Sequence, residues 1–399
     1  MNTSTAPLGG LRVVELSSSL AGPYLAMCLG DMGADVVKVE NPRGGDMTRQ
    51  WSPPGTAGES GFFLSTNRNK RSLALDLQDE SGRELLLGMA ERADVVIDNF
   101  RPDSMLHRLL SYEVLSRHNP GLVMVHLSAF GETGPWRDRP GYDLVAQATA
   151  GLMSVTGESD GPPVRAGFSI ADLAGGLFGL AGVLAALVER SRTGRGRYVT
   201  TSLFEVQLGL HVNAAMNMFL SGEAPRRLGS AHPNVAPYQA LSAADGYLVI
   251  AAGNDRLYQR LCSAIGHAEL ADDTRFRTNP ERVAHRDELV KLLEEILAGE
   301  TVRHWCAVLE QHGVPVAPIL DLSEVYAHPH TRALGIVRSV EHATAGQIPQ
   351  VASPLSLDGQ RLAPRAAPPT LGQHTGEILT ELGIDEQTQA TLRAAGTIR

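Results

Sequence analysis

The sequence predicts an α/β protein built on a parallel sheet. Three observations carry this: five short β-branched runs within the first 130 residues, helical stretches between them, and glycine or proline at the joints. The first run is Leu-Arg-Val-Val-Glu-Leu at 11–16 and the second is Asp-Val-Val-Lys-Val-Glu at 35–40. Between them, 23–33 reads as a helix, with Pro23 near its start and Gly33 at its end. A third strand is expected at 72–77. A half-buried helix follows at 81–93, where Leu85, Leu86 and Leu87 stand among charged residues. Runs at 94–98 and 122–127 complete the series. Ligands on such sheets gather where strands end, which points to the loops beginning at Ser17, Asn41, Asn99 and Ser128. No G-x-G-x-x-G follows the first strand, so the sheet is Rossmann-like without the dinucleotide fingerprint.

Further along, 173–190 is apolar and rich in Gly and Ala, which suits a closely packed helix or a subunit contact. Thr193 to Val199 reads as a tight turn feeding a strand, and 205–220 reads as a helix. A Pro/Gly/Ser-rich stretch at 222–237 looks like a boundary. Beyond it, a strand at 246–251 and helices at 256–265, 281–298 and 302–312 predict a small mixed α/β unit. An amphipathic helix at 376–382 follows a Pro-rich stretch at 364–369.

Composition narrows the function. The chain has 399 residues, 43% hydrophobic and 20% charged, as expected of a globular protein of more than one core. A formal net charge of −9 argues against a nucleic-acid surface, and clustered Arg in an acidic chain are either anion pockets or solvated charges. Cys28, Cys262 and Cys306 are widely spaced and form no metal-ligand pattern; so few Cys fit a reducing compartment, with the cytoplasm the default. The first ten residues show no signal-peptide pattern, and no apolar run was expected to approach the roughly 20 residues of a bilayer span.

One residue stands out chemically. Asp172 lies in an apolar, glycine-bracketed stretch, Gly-Phe-Ser-Ile-Ala-Asp-Leu-Ala-Gly-Gly at 167–176. Burying an unpaired carboxylate is costly or raises its pKa. At a helix start, free N–H groups would favour its ionised form and could hold an oxyanion. The plainer role is a helix N-cap.

The order of several short motifs resembles the family III CoA-transferases (the CaiB/BaiF, formyl-CoA transferase-like family). They are Val-Val-Glu-Leu at 13–16 with Ala-Gly-Pro at 21–23, the run 33–40, Asn-Arg-Asn-Lys-Arg-Ser at 67–72 and Asn-Phe-Arg-Pro at 99–102. Phe130-Gly131, Gly134-Pro135, Pro-Gly-Tyr-Asp at 140–143, Thr-Gly-Arg-Gly at 193–196 and Leu-Gly-Gln-His-Thr at 371–375 continue it nearly end to end. The resemblance implies that Asp172 is the nucleophile, attacking an acyl-CoA to give a mixed anhydride and then an aspartyl-CoA thioester. Neither a metal nor a tightly bound cofactor is needed for this. CoA-contacting positions fall by resemblance on Ser18, Ala21, Leu75, Asn99 and Phe100. Arg43, Arg108 and Arg139 are candidates for the phosphates of coenzyme A, which need cationic clamps. Members usually carry Arg eight residues after the Asn of Asn-Phe; here that place is His107, with Arg108 next to it.

Tyr142 separates two chemistries. Racemases of the same superfamily have His at this place, and a phenol of ordinary pKa near 10 is a poor base at neutral pH. Transfer is therefore favoured over racemisation, and the intact, glycine-bracketed Asp172 argues against a non-catalytic CoA-binding homologue. His232, in Gly-Ser-Ala-His-Pro-Asn at 229–234, is either near the acyl group or a turn-stabilising His. The run 229–239 with 246–250 and 253–255 looks most like transferases using succinyl-CoA with glutarate, citramalate, itaconate or mesaconate. The resemblance also implies a large domain at 1–223 to which 323–399 returns, a small domain at 224–322, and two subunits interlocked as a homodimer. Acyl-CoA and carboxylic acids are the expected substrates, with neither nucleic acid nor membrane as partner.

Overall fold

The structure is a computed structural model describing residues 6–52 and 59–399; residues 1–5, which open the stretch without a signal pattern, lie outside it. Six strands form one parallel sheet: β1 (Arg12–Glu15), β2 (Asp35–Glu40), β3 (Lys70–Ala74), β4 (Val95–Asp98), β5 (Val123–Ser128) and β6 (Tyr198–Ser202). Their order is β3-β2-β1-β4-β5-β6. β1 to β5 are buried on both faces, whereas the edge strand β6 is half-exposed with only Ser202 buried, and alternate residues feed different cores. Val13, Val36, Val95 and Val125 join one cluster, with Leu25 and Val183 from helices. Val14, Val37, Val96 and Met124 join the other, with Leu86, Ile378 and Leu379. This period of two explains why the strands read as near-continuous Val/Ile runs.

β3 starts two residues before its expected place because Lys70 and Arg71 belong to it. Lys70 is buried, which the apolar reading of 72–77 did not anticipate; its ammonium lies 2.8 Å from Glu15 and donates to Pro23 O and Asn67 Oδ1, both at 2.8 Å. The expected helix at 205–220 is two, Leu203–Leu210 and Val212–Ser221, and that at 281–298 breaks at His285. A hairpin of β10 (Val337–His342) and β11 (Gly346–Val351) and a last helix, Glu386–Ala395, were not expected.

The helix Ile170–Thr193 corrects one expectation. At 24 residues it is long and apolar enough to cross a bilayer by length and composition. In this fold it packs on the helix Ala21–Asp31 and on β5 and β6, with Ala171, Gly175, Gly179 and Val183 buried. Its glycines permit that approach: a Cβ on Gly176 would stand 2.8 Å from Ala21 O, and one on Gly179 would stand 2.6 Å from a Leu25 methyl.

The chain divides into two compact units. The first holds 1–152, 166–215 and 334–399, hence the six-stranded sheet. The second holds 153–165 and 216–333, a wider span than 224–322. In it β8 (Gly246–Ala251) pairs antiparallel with β7 (Tyr238–Ala243) and β9 (Val316–Pro318). Helices Asp255–Ala264, Arg286–Leu297 and Val302–Gln311 supply Leu261, Leu293 and Leu309 to its core.

Candidate active site

A cavity of about 360 Å³ opens among loops at the carboxyl ends of β1, β4 and β5, within the first unit. Strand order reverses between β1 and β4, which is where such sheets offer a crevice. Its lining brings together Ser18, Ala21, Asn99, Phe100, Arg139, Tyr142 and Asp172. Arg101 and Arg137, which the sequence reading did not single out, line it too. A neighbouring cavity of about 170 Å³ takes Leu75 together with Ser18 and Phe100.

The loop after β1 is fixed by polar groups from three directions. Ser18 donates its N–H to Asn99 Oδ1 at 3.1 Å and accepts Asn99 Nδ2 at 2.9 Å. Ser19 sits in the left-handed region at φ 72°, a strained place for a residue with a Cβ. Beneath the loop, the buried Lys38 ammonium meets Glu15 at 2.9 Å, Asp46 at 3.0 Å and Ser17 O at 2.9 Å. A buried cation with two carboxylates and a carbonyl around it holds the loop by electrostatics that water cannot screen.

Asp172 is the third residue of the helix Ile170–Thr193, whose N-cap position is Ser169. The expectation of free amides there is corrected. Asp143 Oδ1 accepts the N–H of Ala171 at 2.8 Å and that of Asp172 at 3.4 Å. Ile170 and Leu173 donate to Phe168 O and Ser169 O. The first turn therefore has no amide left for an oxyanion, and Asp143 performs the cap that Ser169 does not. Burial, and then the charge of Asp143, push the Asp172 carboxyl up to about 7 instead of stabilising its ionised form. Asp143 is itself buried and receives Gln147 Nε2 at 2.6 Å. Sequence reading had Asp143 only as the last letter of a motif; an Asp 29 residues before its amide partner leaves no local signal.

The other residues fall differently. Tyr142, 58% exposed, stands at the mouth with its hydroxyl toward Met47 Sδ at 4.0 Å. Arg139 stacks over Trp136 at 5.1 Å. Arg43 lines neither cavity but pairs at 2.6 Å with Asp76, which lines the smaller one. Arg108 lines neither and donates to Asp103 O at 3.3 Å. His232 lies in the second unit, where its Nδ1 accepts the N–H of Asn234 at 3.1 Å and its ring packs on Tyr238. These are the contacts of a turn-stabilising His.

Comparison with known proteins gives a consistent picture. The sequence model of CoA-transferase family III matches residues 8–375. A succinate–glutarate CoA-transferase of Agrobacterium fabrum is 40% identical, covering 96% of this chain and 97% of that one. A succinyl-CoA:mesaconate CoA-transferase of Haloarcula hispanica is 38% identical over 96% of this chain and 98% of that one. A crystal structure of a CaiB/BaiF family protein from Brucella suis superposes with a TM-score of 0.83 at 41% identity, covering 94% of this chain and 99% of that one.

Proposed function

Because the chain belongs to CoA-transferase family III, we infer that it moves CoA from succinyl-CoA to a dicarboxylic acid of the glutarate, citramalate, itaconate or mesaconate type, through Asp172. The observation that carries the assignment of Asp172 is its carboxyl, raised to about 7 and lining a cavity at the sheet's carboxyl ends. A carboxylate near its pKa at neutral pH combines a large ionised fraction with more basicity than an ordinary Asp, which suits a nucleophile.

In the proposed cycle, ionised Asp172 attacks the donor thioester carbonyl. The C–S bond breaks, leaving an acyl-aspartyl anhydride and CoA thiolate. The thiolate attacks the aspartyl carbonyl, forms an aspartyl-CoA thioester and releases succinate. The acceptor carboxylate attacks that thioester, giving a new anhydride and thiolate. Attack of the thiolate on the acceptor's acyl carbon releases the product acyl-CoA and restores Asp172. Every step exchanges one activated acyl bond for another, so no redox chemistry enters.

Ser18, Ala21, Leu75, Asn99 and Phe100 are assigned to the nucleotide and pantetheine arm. Arg139, which lines the larger cavity, and Arg43 and Arg108, which line neither, are assigned to its phosphates. Tyr142, which lines the cavity beside Asp172, is assigned to the acyl group; His232 keeps the role of a turn-stabilising residue. A homodimer is part of the same reading. Leu177, Phe178 and Val188 are 49%, 52% and 61% exposed on one face of the helix Ile170–Thr193, with exposed Ala181 and Ala185 between them. An apolar stripe of this kind marks a contact surface.

The test is a mass-spectrometric assay of succinyl-CoA with a panel of mono- and dicarboxylic acids. A new acyl-CoA formed in step with free succinate identifies the acceptor. Failure of every acid to accept CoA removes the succinyl-CoA assignment.

A further inference from the structure

Three donor side chains converge behind the loop that carries Asn99 and Phe100. Asp98 ends β4, His126 lies opposite it on β5, and His107 sits on the short helix Met105–Leu109. Asp98 and His126 are each 0% exposed, and His107 is half-buried. His126 Nδ1 lies 2.8 Å from Asp98 Oδ1, and the two imidazole centroids are 4.9 Å apart. One ligand atom from each of the three residues falls within 4.8 Å of the others.

The hydrogen bonds leave this cluster incomplete. Asp98 Oδ1 accepts the N–H of Phe100 at 3.1 Å, but among the described residues Asp98 Oδ2 and His126 Nε2 are buried with no hydrogen-bond partner. Buried polar atoms are nearly always satisfied, because leaving one unmet forfeits its hydration. An Asp–His pair that served only to join β4 to β5 would need neither the open oxygen nor a second imidazole against it. The reaction proposed above uses none of these three side chains.

The geometry points to a divalent transition-metal site formed by Asp98, His107 and His126. Two imidazoles with one carboxylate suit Zn²⁺, whereas Ca²⁺ and Mg²⁺ take all-oxygen shells. Metal–ligand bonds of about 2.1 Å place tetrahedral donors about 3.4 Å apart, so the 4.8 Å span has to close by about 1.4 Å. His107 can supply that movement by rotating about its side-chain torsions, since it is half-buried on a helix of 5 residues. The strand pair, 2.8 Å apart as a hydrogen bond, opens by about 0.6 Å so that the ion takes the place of the shared proton, and water completes the shell. An ion there ties the end of β4 to the Met105–Leu109 helix on either side of Asn99, the residue bonded to Ser18. Its role is to steady that loop.

The test uses untagged full-length protein, stripped with chelator and titrated with Co²⁺ while the visible spectrum is read. The expected result is the intense absorption of four-coordinate Co²⁺, saturating at one ion per chain and displaced by Zn²⁺. His107→Ala is expected to weaken binding by about tenfold or more, since even outer-shell changes cost that much. With 13 His in the chain, adventitious surface binding is the competing outcome; bands that persist unchanged in His107→Ala would overturn the proposal. Absence of the bands in the parent protein overturns it equally. His126→Gln provides a second arm where circular dichroism shows it folded. His107→Ala keeps the test valid where it is not.

Discussion

Asp143 accepts the backbone N–H of Asp172 at 3.4 Å while its charge opposes ionisation of the Asp172 side chain. One carboxylate thus caps the helix start and tunes the neighbouring carboxylate. The two effects are separable, because an amide oxygen can accept the same N–H groups without the charge.

Asp143→Asn is expected to keep the cap through its amide oxygen, lose the Gln147 Nε2 bond, and lower the Asp172 pKa from about 7, though not to the ordinary carboxylate value, since burial is the larger cause. The rate of acyl-enzyme formation, trapped with hydroxylamine, should rise with pH through about 7 in the parent. In Asp143→Asn the limb should move to lower pH. An unmoved limb would show that Asp143 does not set the Asp172 charge.

Ionising Asp172 works against the fold. Its folded pKa is raised above the unfolded value near 3.9, so the folded state binds more protons between there and about 7. Stability is therefore lost as pH rises through that window. Asp172→Asn should raise the melting temperature at pH 8 but not at pH 4. After allowance for solvent screening at this half-buried side chain, the gain at pH 8 is about 1–3 kcal/mol.

Asp172→Ala should lose transfer by several orders of magnitude yet still bind CoA, because the groups assigned to the phosphates lie elsewhere. Isothermal titration with CoA, beside the mass-spectrometric assay, separates the two properties. Retained turnover would remove Asp172 as nucleophile.

Arg43→Ala should weaken CoA binding by about 1–3 kcal/mol, the range for a charge-assisted contact. The Arg43 side chain is 75% exposed and paired with Asp76 at the rim of the smaller cavity, so it must exchange that partner for a phosphate. Unchanged affinity would leave Arg43 as a surface ion pair.

Val188→Glu together with Phe178→Glu should convert a dimer to monomer or abolish soluble protein, because both residues sit on the exposed apolar face. Light scattering on the eluting protein reads the mass directly. A parent protein already monomeric at micromolar concentration would dismiss the homodimer.

Much of the sheet was legible along the chain. Val36, Val37, Val95 and Val96 announce strands covered on both faces, and the span Asp35–Glu40 is the same in sequence and structure. The strands' carboxyl ends then put Ser18, Asn99 and Phe100 on neighbouring loops. Lys70 misled the reading of β3 because a buried ammonium is stabilised by Glu15, 55 positions away, which no local pattern reports.

Asp172 was visible for the same reason that the strands were: an acidic residue among apolar and glycine neighbours is a local anomaly. The upward push of burial on its pKa was legible in the same apolar run, whereas the helix-start argument predicted a favoured anion. Burial, the larger cause, prevails in the fold, and Asp143 adds a like charge while filling the amides. The sequence by itself determined which segments bury both faces and which side chain stands out, since both follow from the chemistry of adjacent residues. Only the tertiary structure decided the charge around that side chain and the meeting of Asp98, His107 and His126, because electrostatic and ligand geometry depend on distances between residues far apart in the chain.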